Sequence, residues 1–338
     1  MSTSNKICTD SCKDSDDACD VNDMLQKMTT ADTDNNVSMC ANCGKGEDES
    51  HKLKHCNACK MVKYCNRDCQ IAHRPQHKKE CKKRAAELHD IDLFKQPPPQ
   101  YGDCPICIIR IPTLSSGSIY MSCCGKVICS GCIYAPRYND KGNKVNNETC
   151  PFCRNPYPCG PTSDMETNKR LKKRVEAGDA QAIYNVGGYH RVGAYCFPQD
   201  MDKALELWHR AAELGFAKSY NNIGHCYNNG IGVEVDKKKA MHYFELAAMG
   251  GNEVARHNLG INEGKARNLD RAIKHLIIAV RDGQPESLEV IKGLYSKGCV
   301  SKQDYTKALQ AYQTYLGEIT SEQRDEAAAF DSKKYRYY

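Results

Sequence analysis

From about residue 175 the small and apolar positions of this chain repeat. Asn185-Val186-Gly187, Asn222-Ile223-Gly224 and Asn258-Leu259-Gly260 stand 37 and 36 residues apart. Lys203-Ala204, Lys239-Ala240, Arg271-Ala272 and Lys307-Ala308 follow at intervals of 36, 32 and 36. Ala211-Ala212-Glu213-Leu214-Gly215 is answered by Ala247-Ala248-Met249-Gly250. A period in the mid-thirties with two helical patterns per unit predicts a solenoid of helix pairs. The small residues let helices approach closely, and the glycines end helices or turn the chain. Four units are expected over residues 175–318: two regular, a third shortened near Gly264–Asn268, and a fourth degenerate. A capping helix around Ser321–Phe330 and a tail complete 319–338. Trp208, the only tryptophan, falls in the second helix of the first unit and is expected in the core. Residues 1–39 have the opposite pattern. Their eight aspartates and few large apolar side chains predict a disordered acidic tail. No apolar run approaches the ~18 residues of a membrane span.

Cysteine changes this picture. Of 22 cysteines, fifteen lie between Cys40 and Cys153, together with His77, in two consecutive runs. The first holds Cys40, Cys43, Cys56, Cys59, Cys65, Cys69, His77 and Cys81; the second holds Cys104, Cys107, Cys123, Cys124, Cys129, Cys132, Cys150 and Cys153. Zinc takes four soft or borderline ligands in a tetrahedron, and a Cys-x2-Cys gap lets one tight turn aim two thiolates at one ion. Eight ligands per run predict two Zn²⁺ per module and four in all. The acidic start of the chain lacks the basic and apolar stretches of a secretory signal, so metal ligation is favoured over a disulfide scaffold. Cytoplasm or nucleus is the expected location. Cys8, Cys12 and Cys19 read as free thiols of the tail, and Cys196, Cys226 and Cys299 as small packed side chains.

Charge excludes little. The formal +6 falls to about −1 once fifteen thiolates and four Zn²⁺ are counted, so nucleic-acid binding does not follow from it. Two basic clusters stand out, Lys78, Lys79, Lys82, Lys83, Arg84 and Lys169, Arg170, Lys172, Lys173, Arg174. They read as solvated helix faces, with phosphate contact or a nuclear address as the alternative. Gln96-Pro97-Pro98-Pro99-Gln100-Tyr101 reads as a stiff polyproline spacer, and its last four residues also fit the PPxY pattern bound by WW domains.

Three resemblances emerge from these motifs. The run Cys40–Cys81, with Tyr64-Cys65, Cys69-Gln70 and His77-Lys78-Lys79-Glu80-Cys81, resembles the MYND-type zinc finger. The resemblance implies interleaved sites, Cys40, Cys43, Cys65 and Cys69 around one ion, Cys56, Cys59, His77 and Cys81 around the other. It passes over His73 as a ligand. It also implies docking of short proline-containing peptides, although the family often has tryptophan where this chain has Arg74, just before Pro75. All four ligands of each ion come from protein, so these sites are expected to be structural.

Cys104-Pro105-Ile106-Cys107, Cys129-Ser130-Gly131-Cys132 and Cys150-Pro151-Phe152-Cys153-Arg154 resemble a RING-type finger of variant, all-cysteine kind. Cross-bracing would give Cys104, Cys107, Cys129 and Cys132 one ion, and Cys123, Cys124, Cys150 and Cys153 the other. Lys126 occupies the place of the usual histidine, so Cys123 and Cys124 complete the second site and the chain must turn sharply there, with the help of Gly125. In that family Ile106, Pro151 and Arg154 occupy the positions that contact a ubiquitin-conjugating enzyme or its ubiquitin. Residues 175–318 resemble Sel-one-like repeats, relatives of the tetratricopeptide repeat.

The expected fold class is multidomain: two small zinc-stabilised, cross-braced modules with little regular structure (α+β), followed by an all-α helix-pair solenoid. The boundaries are a tail at 1–39, a MYND-type finger at 40–81, a linker at 82–103, a RING-like finger at 104–154, a second linker at 155–174, and the repeats. No covalent catalytic residue is identified. The expected function is a zinc-binding intracellular adaptor and RING-type ubiquitin ligase. It would position a conjugating enzyme while the repeats bind a protein partner or substrate. The alternatives are a non-enzymatic protein–protein scaffold and, from the basic clusters, a regulator acting at DNA.

Overall fold

The computed structural model describes residues 39–48, 52–139, 143–145 and 149–338. The tail with Cys8, Cys12 and Cys19 lies outside them. The chain forms two compact units, dividing between Leu93 and Phe94.

In the first unit a minimal antiparallel ladder pairs β1 (Lys54–His55) with β2 (Lys63–Tyr64), ahead of helix α1 (Arg67–Leu93). The Asn66 side chain accepts from the Cys69 backbone N–H at 2.9 Å, which satisfies one of the free donors at the start of the helix. The helix runs on through residues 82–93, expected as linker, because Lys82–Leu93 contains no glycine or proline to stop it.

The second unit opens with hairpin β3 (Ser118–Met121) and β4 (Lys126–Cys129), followed by the short α2 (Ser130–Tyr134). Helix α3 (Ser163–Glu176) occupies much of the second expected linker. Four helix pairs follow. They are α4 (Ala180–Val192) with α5 (Met201–Glu213), α6 (Ala217–Asn229) with α7 (Lys237–Met249), α8 (Glu253–Lys265) with α9 (Leu269–Arg281), and α10 (Pro285–Ser296) with α11 (Lys302–Ile319). Helices α12 (Glu322–Phe330) and α13 (Ser332–Tyr335) end the stack. A cysteine-rich region with little regular structure followed by an all-helical solenoid is the expected fold class.

The repeated triplets have one packing reason. A Cβ on Gly187 would lie 2.8 Å from the Trp208 ring, on Gly224 2.8 Å from the Phe244 ring, and on Gly260 2.9 Å from Leu276. In each pair the first helix supplies a bare backbone patch and the second fills it with one large side chain, while Ala204, Ala240 and Ala272 keep the backbones close. Trp208 is buried as expected, and its indole N–H donates to the Tyr184 carbonyl at 3.2 Å.

The proline segment is no free spacer. Phe94 packs on the His275 ring at 4.6 Å, and Gln96 donates to Asp282 at 2.7 Å. Pro97 is buried, and the Pro98 carbonyl lies 2.5 Å from where a Cβ on Gly251 would sit. Asn252 donates to Gln100 at 3.2 Å, and Lys218 donates to the Tyr101 hydroxyl at 2.8 Å. The segment is thus fastened along the turns that lead into α6, α8 and α10. With its hydroxyl bonded and its ring packed into the RING-like core, Tyr101 is not presented as a PPxY tyrosine.

His275 makes this fastening sensitive to acid. Burial first, then Arg256 and Arg271, push its pKa down to about 3. Its folded value is below that of the unfolded chain, so the associated stability is present above about pH 6.5 and is lost as pH falls toward 3. His275→Leu is expected to lose about 3 kcal/mol less stability than the parent between pH 7 and pH 4. Urea unfolding at the two pH values measures this, and equal losses would refute it.

Candidate metal centres

Four of the five Cys-x2-Cys pairs close in the same way, the exception being Cys129–Cys132, which runs into α2. The residue after the second cysteine returns its N–H to the carbonyl of the first: Gly44 to Cys40 at 2.9 Å, Lys60 to Cys56 at 3.0 Å, Ile108 to Cys104 at 2.9 Å, and Arg154 to Cys150 at 2.9 Å. That geometry needs a left-handed residue, and φ is +73°, +59°, +57° and +64° in the same order. Three of the four are not glycine, at about 1 kcal/mol of strain each. Such strain persists where something else over-determines the turn, as two ligands aimed at one point would.

The ligands gather in four groups, each with its donor atoms within 4.8 Å of one another: Cys40, Cys43, Cys65, Cys69; Cys56, Cys59, His77, Cys81; Cys104, Cys107, Cys129, Cys132; and Cys123, Cys124, Cys150, Cys153. A zinc tetrahedron with ~2.3 Å metal–sulfur bonds has edges of about 3.8 Å. Cys43–Cys65 at 3.6 Å, Cys56–Cys81 at 3.7 Å, Cys107–Cys129 at 3.7 Å and Cys124–Cys150 at 3.9 Å match that edge. The separations are far too long for disulfides, which need about 2.0 Å. The donor sets therefore fit zinc, and with four protein ligands each they fit closed, structural sites.

In the first module the pairing interleaves, so each site depends on the chain being folded back through the other. His77 Nε2 lies 3.2 Å from Cys59 Sγ, whereas His73 is turned to the Tyr64 hydroxyl at 3.0 Å. His73 stacks on His77 with ring centroids 5.7 Å apart and so supports a ligand without being one. Arg74 is exposed.

In the second module the adjacent Cys123 and Cys124 both reach one group because the β3–β4 turn is tight. Cys124 and Gly125 donate to the Met121 carbonyl at 3.2 and 2.8 Å, and Gly125 has φ +71°. The thiols of the other group share protons unequally. Hydrogen bonds from Cys129 and Cys132 pull Cys104 down, and the bond to Cys104 pushes Cys132 up. A divalent cation would deprotonate all four together. Ile106 is 41 % exposed, Ile108 70 % and Phe152 42 %, on the knuckle loops, while Arg154 is exposed and Pro151 half-buried.

Other expectations need correction. Cys226 is buried and Cys299 half-buried, but Cys196 is exposed, because its left-handed turn before α5 (φ +59°) carries it outward. The second basic cluster is partly structural: Arg174 donates to the Cys123 carbonyl at 2.7 Å and Arg170 to the Pro156 carbonyl at 2.9 Å. Sequence reasoning missed the polar residues that join the RING-like module to the repeats. Tyr120 donates to Asp179 at 2.7 Å, Thr113 to the Gly283 carbonyl at 3.2 Å, and Arg110 pairs with Glu318. They stand alone in the chain with no periodic signal.

The MYND finger family model matches residues 40–81, and the Sel1 repeat model matches 180–216, 217–252 and 254–284. The chain is 31% identical over 108 residues to the ERAD-associated E3 ubiquitin-protein ligase component HRD3B of Arabidopsis thaliana, covering 31% of this chain and 16% of that protein. It is 27% identical over 116 residues to Chitin synthase regulatory factor 3 of Schizosaccharomyces pombe, covering 33% and 12%. It thus spans no more than 16% of the length of these relatives. A Sel1 repeat protein from Oxalobacter formigenes aligns at 19% identity and TM-score 0.39, covering 52% of this chain and 77% of its own. Residues 40–81 are a MYND finger, and Sel1 repeats occupy residues 180–284.

Proposed function

We propose that the protein is a zinc-dependent adaptor that recruits a ubiquitin-conjugating enzyme through its RING-like finger and a protein partner through its repeats. A zinc finger joined to Sel1 repeats supports the adaptor reading. The observation that carries the ligase reading is the exposure of Ile106, Ile108 and Phe152. Folding buries other residues of the same module against the repeats but leaves these three apolar side chains in solvent, where they suit a partner. In this reading the module does no covalent chemistry. Ile106 and Pro151 receive the conjugating enzyme, Arg154 touches the enzyme or its ubiquitin, and catalysis is by positioning. All four zinc ions are structural. Cysteine spacing that suits metal ligation rather than a disulfide framework is the ground for a reducing compartment, cytoplasm or nucleus. The Arabidopsis relative is a component of an ERAD-associated ubiquitin ligase, which is compatible with an adaptor of that machinery.

The test is discharge of ubiquitin from a panel of charged conjugating enzymes by the zinc-loaded full chain. Acceleration of tenfold or more is expected, with Ile106→Ala and Arg154→Ala each abolishing most of it. No acceleration across the panel by fully metallated protein would leave a non-enzymatic scaffold. Lys126 in the place of a histidine ligand already favours that second reading.

A further inference from the structure

Arg324, on the capping helix α12, is fully buried, and its guanidinium is spent on carbonyls. Nη1 donates to Arg110 O at 2.8 Å and to Ile319 O at 2.5 Å; Nη2 donates to Ile109 O at 3.2 Å and reaches Cys107 Sγ at 3.8 Å. Among the described residues no carboxylate pairs with it. The neighbouring buried cation Arg110 differs, since Glu318 and Asp282 both face it. A buried guanidinium without a counter-charge carries a large desolvation penalty. The one side-chain group it reaches is sulfur, Cys107 Sγ, so the compensating negative charge must come from the cysteine group.

Zinc fixes that charge: four thiolates around Zn²⁺ carry a net charge of about −2. The adjacent cap residue also faces this group: the Gln323 amide lies 3.9 Å from Cys132 Sγ, and its N and O are interchangeable by rotation. The fit is close. A Cβ on Gly131, between ligands Cys129 and Cys132, would lie 2.9 Å from the backbone of both Gln323 and Arg324. Tyr134 then packs on Phe330 at 5.2 Å and on Tyr335 at 5.6 Å.

We propose that Arg324 is the counter-cation of the Cys104, Cys107, Cys129, Cys132 zinc–thiolate group, so that zinc in this site and docking of the C-terminal cap on it are one coupled event. The inference rests on reading this group as a zinc site. Arg324 is a positioning residue, and its contact to sulfur resembles the outer-shell interactions that tune metal affinity elsewhere. A residue more than 190 positions from the nearest ligand thus completes the site, and the end of the repeats is held by a metal at the start of the unit.

Native mass spectrometry of the full chain and of Cys104→Ser first counts the zinc. An unchanged count in Cys104→Ser would overturn the zinc reading and this proposal together. If the count falls by one, zinc release to a chromogenic chelator is compared for the parent, Arg324→Gln and Arg324→Lys. One ion of the set should leave about tenfold faster or more in Arg324→Gln, with partial recovery in Arg324→Lys. An unchanged rate in Arg324→Gln overturns the proposal while leaving the zinc reading intact. If Arg324→Gln does not fold, the parent protein decides the matter. Amides of Glu322–Phe330 should lose hydrogen-exchange protection as that zinc leaves, and a cap that stays protected overturns the proposal.

Discussion

Chelation of zinc is expected to unfold residues 40–81 and 104–153 while the helix pairs from α4 to α9 keep their structure. The buried cluster of the MYND finger is Cys40, Leu53, Cys56, Cys59 and Tyr64, so three of its five members are ligands. The RING-like cluster contains Cys104, Cys129, Cys132 and Cys150 beside four other buried residues. Modules this small rarely fold on apolar burial alone. Binding free energy of about 10–16 kcal/mol for a structural zinc is folding free energy here. The pairs α4 to α9 are built on Trp208, Phe244 and Leu276, none of them a ligand. Hydrogen exchange with and without a chelator, zinc content followed in parallel, checks this. Protection of 40–81 amides in metal-free protein would show that the cysteines are packed rather than ligating. A single Cys59→Ser substitution should reproduce the loss in the first finger and leave the second unit folded.

Gly283→Ala should be the most damaging small substitution outside the ligands, at about 3 kcal/mol. Gly283 turns the chain between α9 and α10 with φ +92°. A Cβ there would stand 2.3 Å from the Tyr315 ring and 2.5 Å from Thr113 Oγ1. Neither neighbour has room to yield. Both are buried, they share a hydrogen bond of 3.0 Å, and Thr113 also donates to the Gly283 carbonyl at 3.2 Å. Left-handed strain supplies about 1–2 kcal/mol and overpacking about 1–3. Gly298→Ala is the control, because it has φ +72° and open space around the added methyl. Urea unfolding should separate the two variants by the overpacking share. Equal losses would mean that the RING-like module does not press on the repeats at this point.

The strap and the interface change how the adaptor reading should be tested. Fragments of the second unit leave buried charge behind. Removing residues 94–101 would expose His275 and leave Asp282 without Gln96, and removing the repeats would strip Arg110 of Glu318. Burial pushes Asp282 up to about 7 even with Arg110 and Arg256 beside it, so its environment is costly for a lone charge. For that reason the ligase assay uses the whole chain.

The sequence by itself determined the solenoid and which sixteen cysteine and histidine residues would gather as candidate ligands. Helix pairing repeats every mid-thirties residues, and a small residue must recur wherever a large one is received, so Gly187, Gly224 and Gly260 are legible without coordinates. Cys-x2-Cys is equally local, since one turn serves one ion. Even the adjacent pair Cys123-Cys124 could be assigned from the chain, by its place in the run. Only the tertiary structure decided what the modules rest on. The union of the RING-like finger with the repeats is made by single polar residues far apart in sequence, such as Thr113 with Tyr315 and Arg324 with Cys107. The proline strap looked like a spacer because polyproline is stiff in isolation, and the row of turns that binds it comes from three different helix pairs. Periodicity reports contacts that recur at fixed spacing. An interface formed once, from isolated positions, has no period to read.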